Sequence, residues 1–189
     1  PLCLVGSEMC IRDRPMSVPE VVGVNLTKQL KEGITSTDLV LYITKLLRDS
    51  KVVGSFIEFC GEGVENLTVG DRATISNMAP EYGATAVLFP VDKATLNYLS
   101  MTGRTEEEIK IVEEYSKYQN LWRKSNTAPE YNRVLDLDLS TIEPCVSGPK
   151  NPEDKIDLDK FSKEINSHSK MLYNKDLRDD EFEVPTQEY

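Results

Sequence analysis

Asn77 and Glu81 are the residues of this chain whose types and spacing best fit a chemical site. They are four positions apart, so on a continuous helix both side chains would project from one face, about 6 Å from each other, with Thr74 one turn below Asn77. An amide and a carboxylate placed in this way can hydrogen-bond a polar ligand, and a carboxylate can also carry a proton. A solvated helix face would have the same spacing, so the pattern alone leaves both interpretations open.

The helix that must hold Asn77 is predicted to begin near Thr68, with Asp71 in its first turn at the positive end of the helix dipole. Its predicted apolar contacts are Ala73, Ile75 and Met78. Pro80 should interrupt it, because proline lacks an N–H and clashes with the carbonyl four residues earlier. We therefore expect a break near Asn77, followed by a turn that carries Glu81.

The segments on either side of these residues predict an α/β fold. Thr35 or Ser36 can cap a helix, and Val52 to Phe59 is predicted to form a strand that ends in a glycine turn. After Gly83, residues 85–89 are predicted to form a fully buried strand. Alternating helices and strands favour a three-layer α/β/α arrangement with a mostly parallel sheet. Ligands bind in the crevice at the carboxyl ends of such strands, which favours a site at Asn77 and Glu81.

The second half of the chain continues this pattern before it becomes irregular. Asp92 should begin a short helix that ends at Gly103, and Thr105 to Glu108 has the form of a capping box for the next helix. Further predictions are a half-exposed strand in residues 133–141, an irregular segment at 144–152, a short helix at 158–165 and a mobile linker from Lys170.

Composition excludes several classes of function. The chain has 189 residues and a net charge of -10, which disfavours a nucleic-acid-binding protein because such proteins neutralise phosphates with Lys and Arg. No apolar run approaches the roughly 20 residues needed to span a bilayer. We therefore expect a soluble cytoplasmic protein, with an organelle matrix as the other possible location, that binds neither nucleic acid nor membrane.

The cysteines do not form a recognisable metal motif. Cys3, Cys10, Cys60 and Cys145 contain no C-x-x-C pair, and His168 is the only histidine of the sequence. We interpret the four as thiols of a reducing compartment and predict no metal ligand in this chain.

Residues 71–85, DRATISNMAPEYGAT, resemble a characteristic segment of the aconitase family. The preceding run, from Pro19 to Gly70, resembles the same family without a break, and the resemblance extends to about Lys155. The forms DRAT and PEYGAT are typical of its cytosolic and bacterial A-type branch. The chain is thus identified as an internal fragment of an aconitase-family enzyme, with part of the family's large-domain fold.

The resemblance implies dehydration and rehydration of citrate and isocitrate through cis-aconitate, with a 4Fe-4S cluster as cofactor. Glu81 matches the catalytic glutamate beside iron-bound water and substrate, and Asn77 matches an asparagine close to the cluster. Neither is an iron ligand. The family's cluster cysteines, serine base and carboxylate-binding arginines have no counterpart here, so we expect the fragment to be inactive alone and the complete enzyme to be a monomer.

The expected domain organisation has three parts. Residues 1–14 match neither a targeting signal nor the family pattern and resemble translated sequencing-adapter sequence, so we interpret them as an artefact. Residues 15–152 should form the partial α/β/α domain, and residues 153–189 an acidic helix with a mobile linker.

Other functions remain open at this stage. The pair Leu121-Trp122 follows the predicted long helix. The dehydratase that acts on 2-methylcitrate tends to have the same Leu-Trp pair at this point and shares much of the pattern. 2-Methylcitrate therefore remains open as the substrate. Some relatives bind RNA when the cluster is lost, although the acidic composition argues against that role. A third possibility is an α/β interaction module without chemistry.

Overall fold

The computed structural model describes residues 17–124, 129–148 and 150–173. Its strands are β1 (Val21–Thr27), β2 (Phe56–Cys60), β3 (Ala86–Leu88), β4 (Arg133–Asp138), β5 (Cys145–Ser147) and β6 (Lys155–Asp157). Its α-helices are α1 (Ser36–Asp49), α2 (Val69–Asn77), α3 (Ala79–Tyr82), α4 (Lys93–Met101), α5 (Glu106–Tyr118) and α6 (Phe161–Tyr173). Short 3-10 helices cover Glu62–Asn66, Leu139–Thr141 and Leu158–Lys160.

Four strands form one parallel sheet in the order β3-β2-β1-β4. Helix α1 connects β1 to β2, and α2 with α3 connects β2 to β3. Helices α4 and α5 then return the chain to the other side of β1, where β4 pairs. The predicted α/β class with a mostly parallel sheet is confirmed.

The main core lies between one face of the sheet and the first three helices. Side chains alternate along each strand, so one set enters this core and the other set faces away. The fully buried members of the core include Val22, Val24, Leu26, Leu39, Ile43, Leu47, Ile57, Phe59, Ile75, Tyr82 and Leu139. On the opposite face Leu88 and Val134 are about half exposed. The third layer of the predicted sandwich therefore stays a prediction.

Strand β3 is not the fully buried strand that the apolar run predicted. It has only three residues and lies at the edge of the sheet, where Leu88 is 52% exposed. The prediction was wrong because an apolar run does not distinguish a central strand from an edge strand.

Strand β2 begins later than the predicted start at Val52. Gly54 adopts a left-handed conformation with φ of 80°, and its N–H donates to the carbonyl of Gly83 at 2.8 Å. This turn delays strand pairing until Phe56, while Val52 remains fully buried as part of the loop.

The predicted helix starts agree with the structure. Thr35, Thr68 and Thr105 each cap a helix and form a reciprocal capping box with the acidic residue three positions later. Asp92 caps α4 through its carboxylate, which accepts from two backbone N–H groups of the first turn. These caps satisfy N–H groups that would otherwise lack partners at the helix ends.

The last part of the chain is more regular than predicted. Strands β5 and β6 pair antiparallel, so the segment predicted as irregular contains a strand, and the pair crosses the predicted boundary at residue 152. Helix α6 runs to Tyr173, so the predicted linker begins with helix, and residues 174–189 lie outside the described residues. Within the described ranges, no helix has the length and hydropathy required to cross a membrane.

Asp38 in α1 makes the stability of this fold depend on pH. Burial raises the pKa of Asp38, but hydrogen bonds from the Thr35 hydroxyl and from the N–H groups of Cys145 and Thr35 more than offset it, so the pKa lies below its ordinary value. A carboxyl whose pKa is lowered by folding stabilises the fold above its unfolded pKa, and that contribution is lost as the pH falls through the folded pKa.

We expect the free energy of unfolding of the 189-residue chain to fall as the pH drops below about 5. Asp38→Asn should make this fall shallower, and Asp159→Asn, at an exposed position, serves as the control. Urea denaturation at several pH values measures the slope of the free energy of unfolding against pH. An unchanged slope in Asp38→Asn would show that Asp38 does not contribute to the pH dependence.

Candidate functional site

The site begins with the first turn of α2, which is fixed to the first turn of α1. The Asp71 carboxylate accepts from the Thr68 N–H at 2.8 Å and from the Thr68 hydroxyl at 2.7 Å, and it also accepts from the Ser36 hydroxyl of α1. Burial raises the pKa of Asp71, but these hydrogen bonds outweigh it and hold the pKa below its ordinary value. The start of α2 is thus rigidly placed.

The helix breaks where Pro80 predicts a break. Helix α2 ends at Asn77, and Met78, with φ of -85° and ψ of 8°, separates it from the short helix α3. Pro80 has no N–H to donate to the carbonyl of Ser76, so the regular ladder cannot continue. Gly83 ends α3 in the left-handed conformation, with φ of 81°.

Tyr82 links α3 to α2 across the break through a hydrogen bond inside the core. Its hydroxyl donates to the carbonyl of Ile75 at 3.0 Å, and its side chain is fully buried. The same carbonyl accepts from the Met78 N–H at 3.3 Å, at the break between the helices. The Tyr82 hydroxyl therefore adds a second donor to this carbonyl, across the junction of the two helices.

Asn77 and Glu81 lie on either side of this junction. Asn77 is exposed at the end of α2, whereas Glu81 is half-buried in α3. Oε2 of Glu81 is buried, and no donor among the described residues lies within hydrogen-bond distance of it. A buried carboxylate oxygen without a partner is costly, which marks it as a group that a ligand or further protein could satisfy.

The two residues lie at the edge opposite the predicted crevice. The Thr85 N–H donates to Ser55 at 2.9 Å, so the end of α3 lies beside the loop that precedes β2. This is the amino edge of the sheet. The crevice prediction was wrong because α2 carries the chain from the carboxyl end of β2 back across the sheet before Glu81 is reached.

Arg72 is a residue of this region that the sequence did not single out. Its guanidinium forms two hydrogen bonds with the Asp92 carboxylate, at 3.0 and 2.6 Å, and a third with the carbonyl of Val64 at 3.0 Å. Arg72 is 5% exposed, whereas Ala73, predicted to make apolar contact, is exposed. The ion pair joins α2 to the cap of α4, and no local pattern indicates it because its partners are 20 residues apart.

Comparison with known proteins establishes the family. A model of the aconitase family (aconitate hydratase) matches residues 5–187 of the 189 residues. This chain belongs to the aconitase family. The match includes residues 5–14, so it does not separate the segment that we interpreted as an artefact from the rest of the aconitase sequence.

Bacterial aconitases are similar to almost the whole chain. Aconitate hydratase A of Rickettsia bellii is 49% identical over 171 residues, which are 87% of this chain and 19% of that protein. The aconitate hydratase A of Legionella pneumophila is 49% identical over 166 residues, 86% of this chain and 19% of that protein. That of Pseudomonas aeruginosa is 48% identical over 164 residues, which are 86% of this chain and 18% of that protein. The chain thus spans about a fifth of the length of these aconitases.

The described cysteines of this aconitase section are two separate free thiols, Cys60 and Cys145. Burial raises the pKa of Cys60, and burial raises that of Cys145 to about 11. Among residues 17–124, 129–148 and 150–173, no group of three or more His, Cys, Asp and Glu side chains could hold a metal ion. Cys3 and Cys10 lie outside the described residues. Ligands for a cluster are not found in the described part of the chain.

A concavity of about 390 Å³ lies elsewhere in this aconitase section, between β6 and α6. Lys155 and Lys160 in its lining both pair with Asp157. Because both lysines of its lining already pair with Asp157 and it contains neither Asn77 nor Glu81, we assign it no ligand.

Proposed function

We propose that this chain is a section of an aconitate hydratase, a hydro-lyase that isomerises citrate to isocitrate through cis-aconitate. Membership of the aconitase family carries the proposal, and the names of the bacterial relatives agree with it. Since the chain spans about a fifth of those relatives, the remaining parts of the site belong to other parts of the complete polypeptide. The section should be inactive alone.

Within that enzyme, Glu81 and Asn77 form one wall of the site. Oε2 of Glu81 is buried without a partner, so a water or a substrate hydroxyl could occupy the position of its missing donor. The carboxylate would orient that group and carry a proton at Oε2 between the steps of dehydration and rehydration. The exposed amide of Asn77 would hydrogen-bond a polar group of the same ligand.

The cofactor of the complete enzyme is proposed to be a 4Fe-4S cluster. When bound, such a cluster supplies Lewis-acid chemistry through an iron with an open coordination position. Cys60 and Cys145 are not proposed as its ligands, because neither belongs to a group of three or more possible ligands among the described residues. The contribution of the described residues is confined to hydrogen bonding and proton transfer beside the cluster.

The complete enzyme is further proposed to be a cytoplasmic monomer that acts on citrate and isocitrate and binds no nucleic acid. Free thiols at Cys60 and Cys145 are typical of a reducing compartment. The net charge of -10 would repel phosphates.

The test is an assay of the complete polypeptide after anaerobic reconstitution with iron. We expect the absorbance of cis-aconitate to rise after addition of citrate, and we expect no rise with the 189-residue chain alone. Equal or faster turnover of 2-methylcitrate would overturn the proposed substrate. Absence of turnover with either acid would overturn the proposed activity.

The pair Leu121-Trp122, which left 2-methylcitrate open as a substrate, makes contacts with other parts of the chain. Trp122 forms an isolated bridge with Val91, and the Lys117 ammonium lies 5.4 Å from the centre of its ring. Leu121 is 55% exposed. These contacts attach the segment after α5 to Val91, beyond the end of β3.

A further inference from the structure

We propose that Tyr82 is a positioning residue, whose hydroxyl holds the junction of α2 and α3 and thereby fixes the carboxylate of Glu81. This inference rests on the proposed function, because it assigns Tyr82 a role that acts through Glu81. Tyr82 itself is fully buried in the core and touches no substrate.

The first step of the argument is that α3 cannot hold itself in place. It has four residues, Ala79–Tyr82, which is about one turn, and isolated helices shorter than about 12 residues are marginal in water. Its position therefore depends on contacts with the rest of the protein. Those contacts include its packing against α1, the bond from the Gly54 N–H to the Gly83 carbonyl at its end, and the bond from the Tyr82 hydroxyl to Ile75, an almost completely buried residue of α2. The Tyr82 bond is the side-chain hydrogen bond that links α3 to α2.

The second step is that the orientation of Glu81 follows the backbone of α3. The Glu81 N–H donates to the carbonyl of Met78 at 3.1 Å, so its backbone belongs to the turn that Tyr82 holds. Oε2 of Glu81 has no hydrogen-bond partner among the described residues that could orient it independently. A movement of α3 would therefore move the carboxylate directly.

The third step is that the Tyr82 hydroxyl remains a donor at working pH. Burial raises the pKa of Tyr82, and the negative charge of the neighbouring Glu81 raises it further. The hydroxyl stays protonated and keeps its bond to the carbonyl of Ile75. The bond is thus present in the pH range in which a carboxylate at residue 81 would act.

The experiment is a double-mutant cycle in the complete, cluster-loaded enzyme with Tyr82→Phe and Glu81→Gln. Tyr82→Phe removes one hydroxyl and keeps the ring, so it opens no large cavity. We expect kcat to fall about 10-fold or more with little change in KM, because a small misplacement of a reacting group can lower the rate by up to about 10²-fold. In the Glu81→Gln background, Tyr82→Phe should cause no further fall. Tyr98→Phe, at a half-exposed tyrosine of α4, is the matched control and should leave kcat unchanged.

Each other outcome overturns the inference and identifies what failed. An equal fall in both backgrounds would give Tyr82 a general structural role, independent of Glu81. An unchanged kcat in Tyr82→Phe, with a large loss in Glu81→Gln, would reject the positioning role and leave the proposed function intact. An unchanged kcat in Glu81→Gln would remove Glu81 from the mechanism and the role of Tyr82 with it.

Discussion

Glu81→Gln in the complete enzyme should lower the turnover of citrate by about 10²- to 10⁴-fold, the range associated with loss of a general acid or base. Glutamine keeps the size of the side chain but cannot carry a proton. The free energy of unfolding should change little, because Oε2 of Glu81 has no hydrogen bond to lose within the described residues. Steady-state kinetics and thermal denaturation of the same preparation measure the two effects.

The matched control for this prediction is Glu107→Gln. Glu107 is an exposed glutamate in the first turn of α5, so its substitution makes the same change of charge away from the junction of α2 and α3. Its turnover should equal that of the unmodified enzyme. Unchanged turnover in Glu81→Gln would remove Glu81 from the site, and an equal loss in both variants would attribute the effect to net charge.

Asp92→Ala should cause a large loss of stability in the 189-residue chain. Removing one partner of a buried ion pair costs about 3–5 kcal/mol, because the remaining charge stays buried without compensation. The side chains of Arg72 and Asp92 are only 6% and 10% exposed. The substitution also removes the cap of α4. Urea denaturation measures the change in free energy of unfolding, provided that the dependence of this free energy on urea concentration has the same slope in both proteins.

Two further variants test this explanation. Asp49→Ala breaks the exposed pair of Lys45 and Asp49, at 3.3 Å, and should have a much smaller effect because solvent screens that pair. Replacing Arg72 by Met together with Asp92 by Leu removes both buried charges and should recover much of the lost stability. If the double variant were as unstable as Asp92→Ala, an uncompensated charge would not be the cause.

Features that depend on neighbouring residues could be predicted from the sequence. Each capping box joins a threonine to an acidic residue three positions later, so the whole interaction is contained in one turn. The break before Glu81 follows from Pro80 alone, because no tertiary contact can restore its missing N–H. Alternating leucines and aspartates likewise predicted β4.

Features that depend on distant residues could not be predicted. The buried position of Arg72 is decided by Asp92, 20 residues away, whereas the local helical pattern suggested contact by Ala73. The exposure of Leu88 depends on the place of β3 in the strand order, which a single apolar run does not encode. These errors share one cause. The hydrophobic period of a segment indicates whether it forms a helix or a strand, but not which other segments pack against it.

The candidate site came from two sources. Spacing selected Asn77 and Glu81 but could not distinguish a ligand site from a solvated helix face. The resemblance to aconitases gave them roles. The structure added a buried Oε2 of Glu81 without a partner and Tyr82 beside it, neither of which a four-residue spacing reveals.

The most direct test of the proposed site is a crystal structure of the complete enzyme with citrate bound. We predict an oxygen of Glu81 within hydrogen-bond reach, about 2.6–3.2 Å, of the substrate or of a water that contacts it, with Asn77 on the same wall. A structure in which another part of the polypeptide pairs with the Glu81 carboxylate, away from bound citrate, would contradict the account.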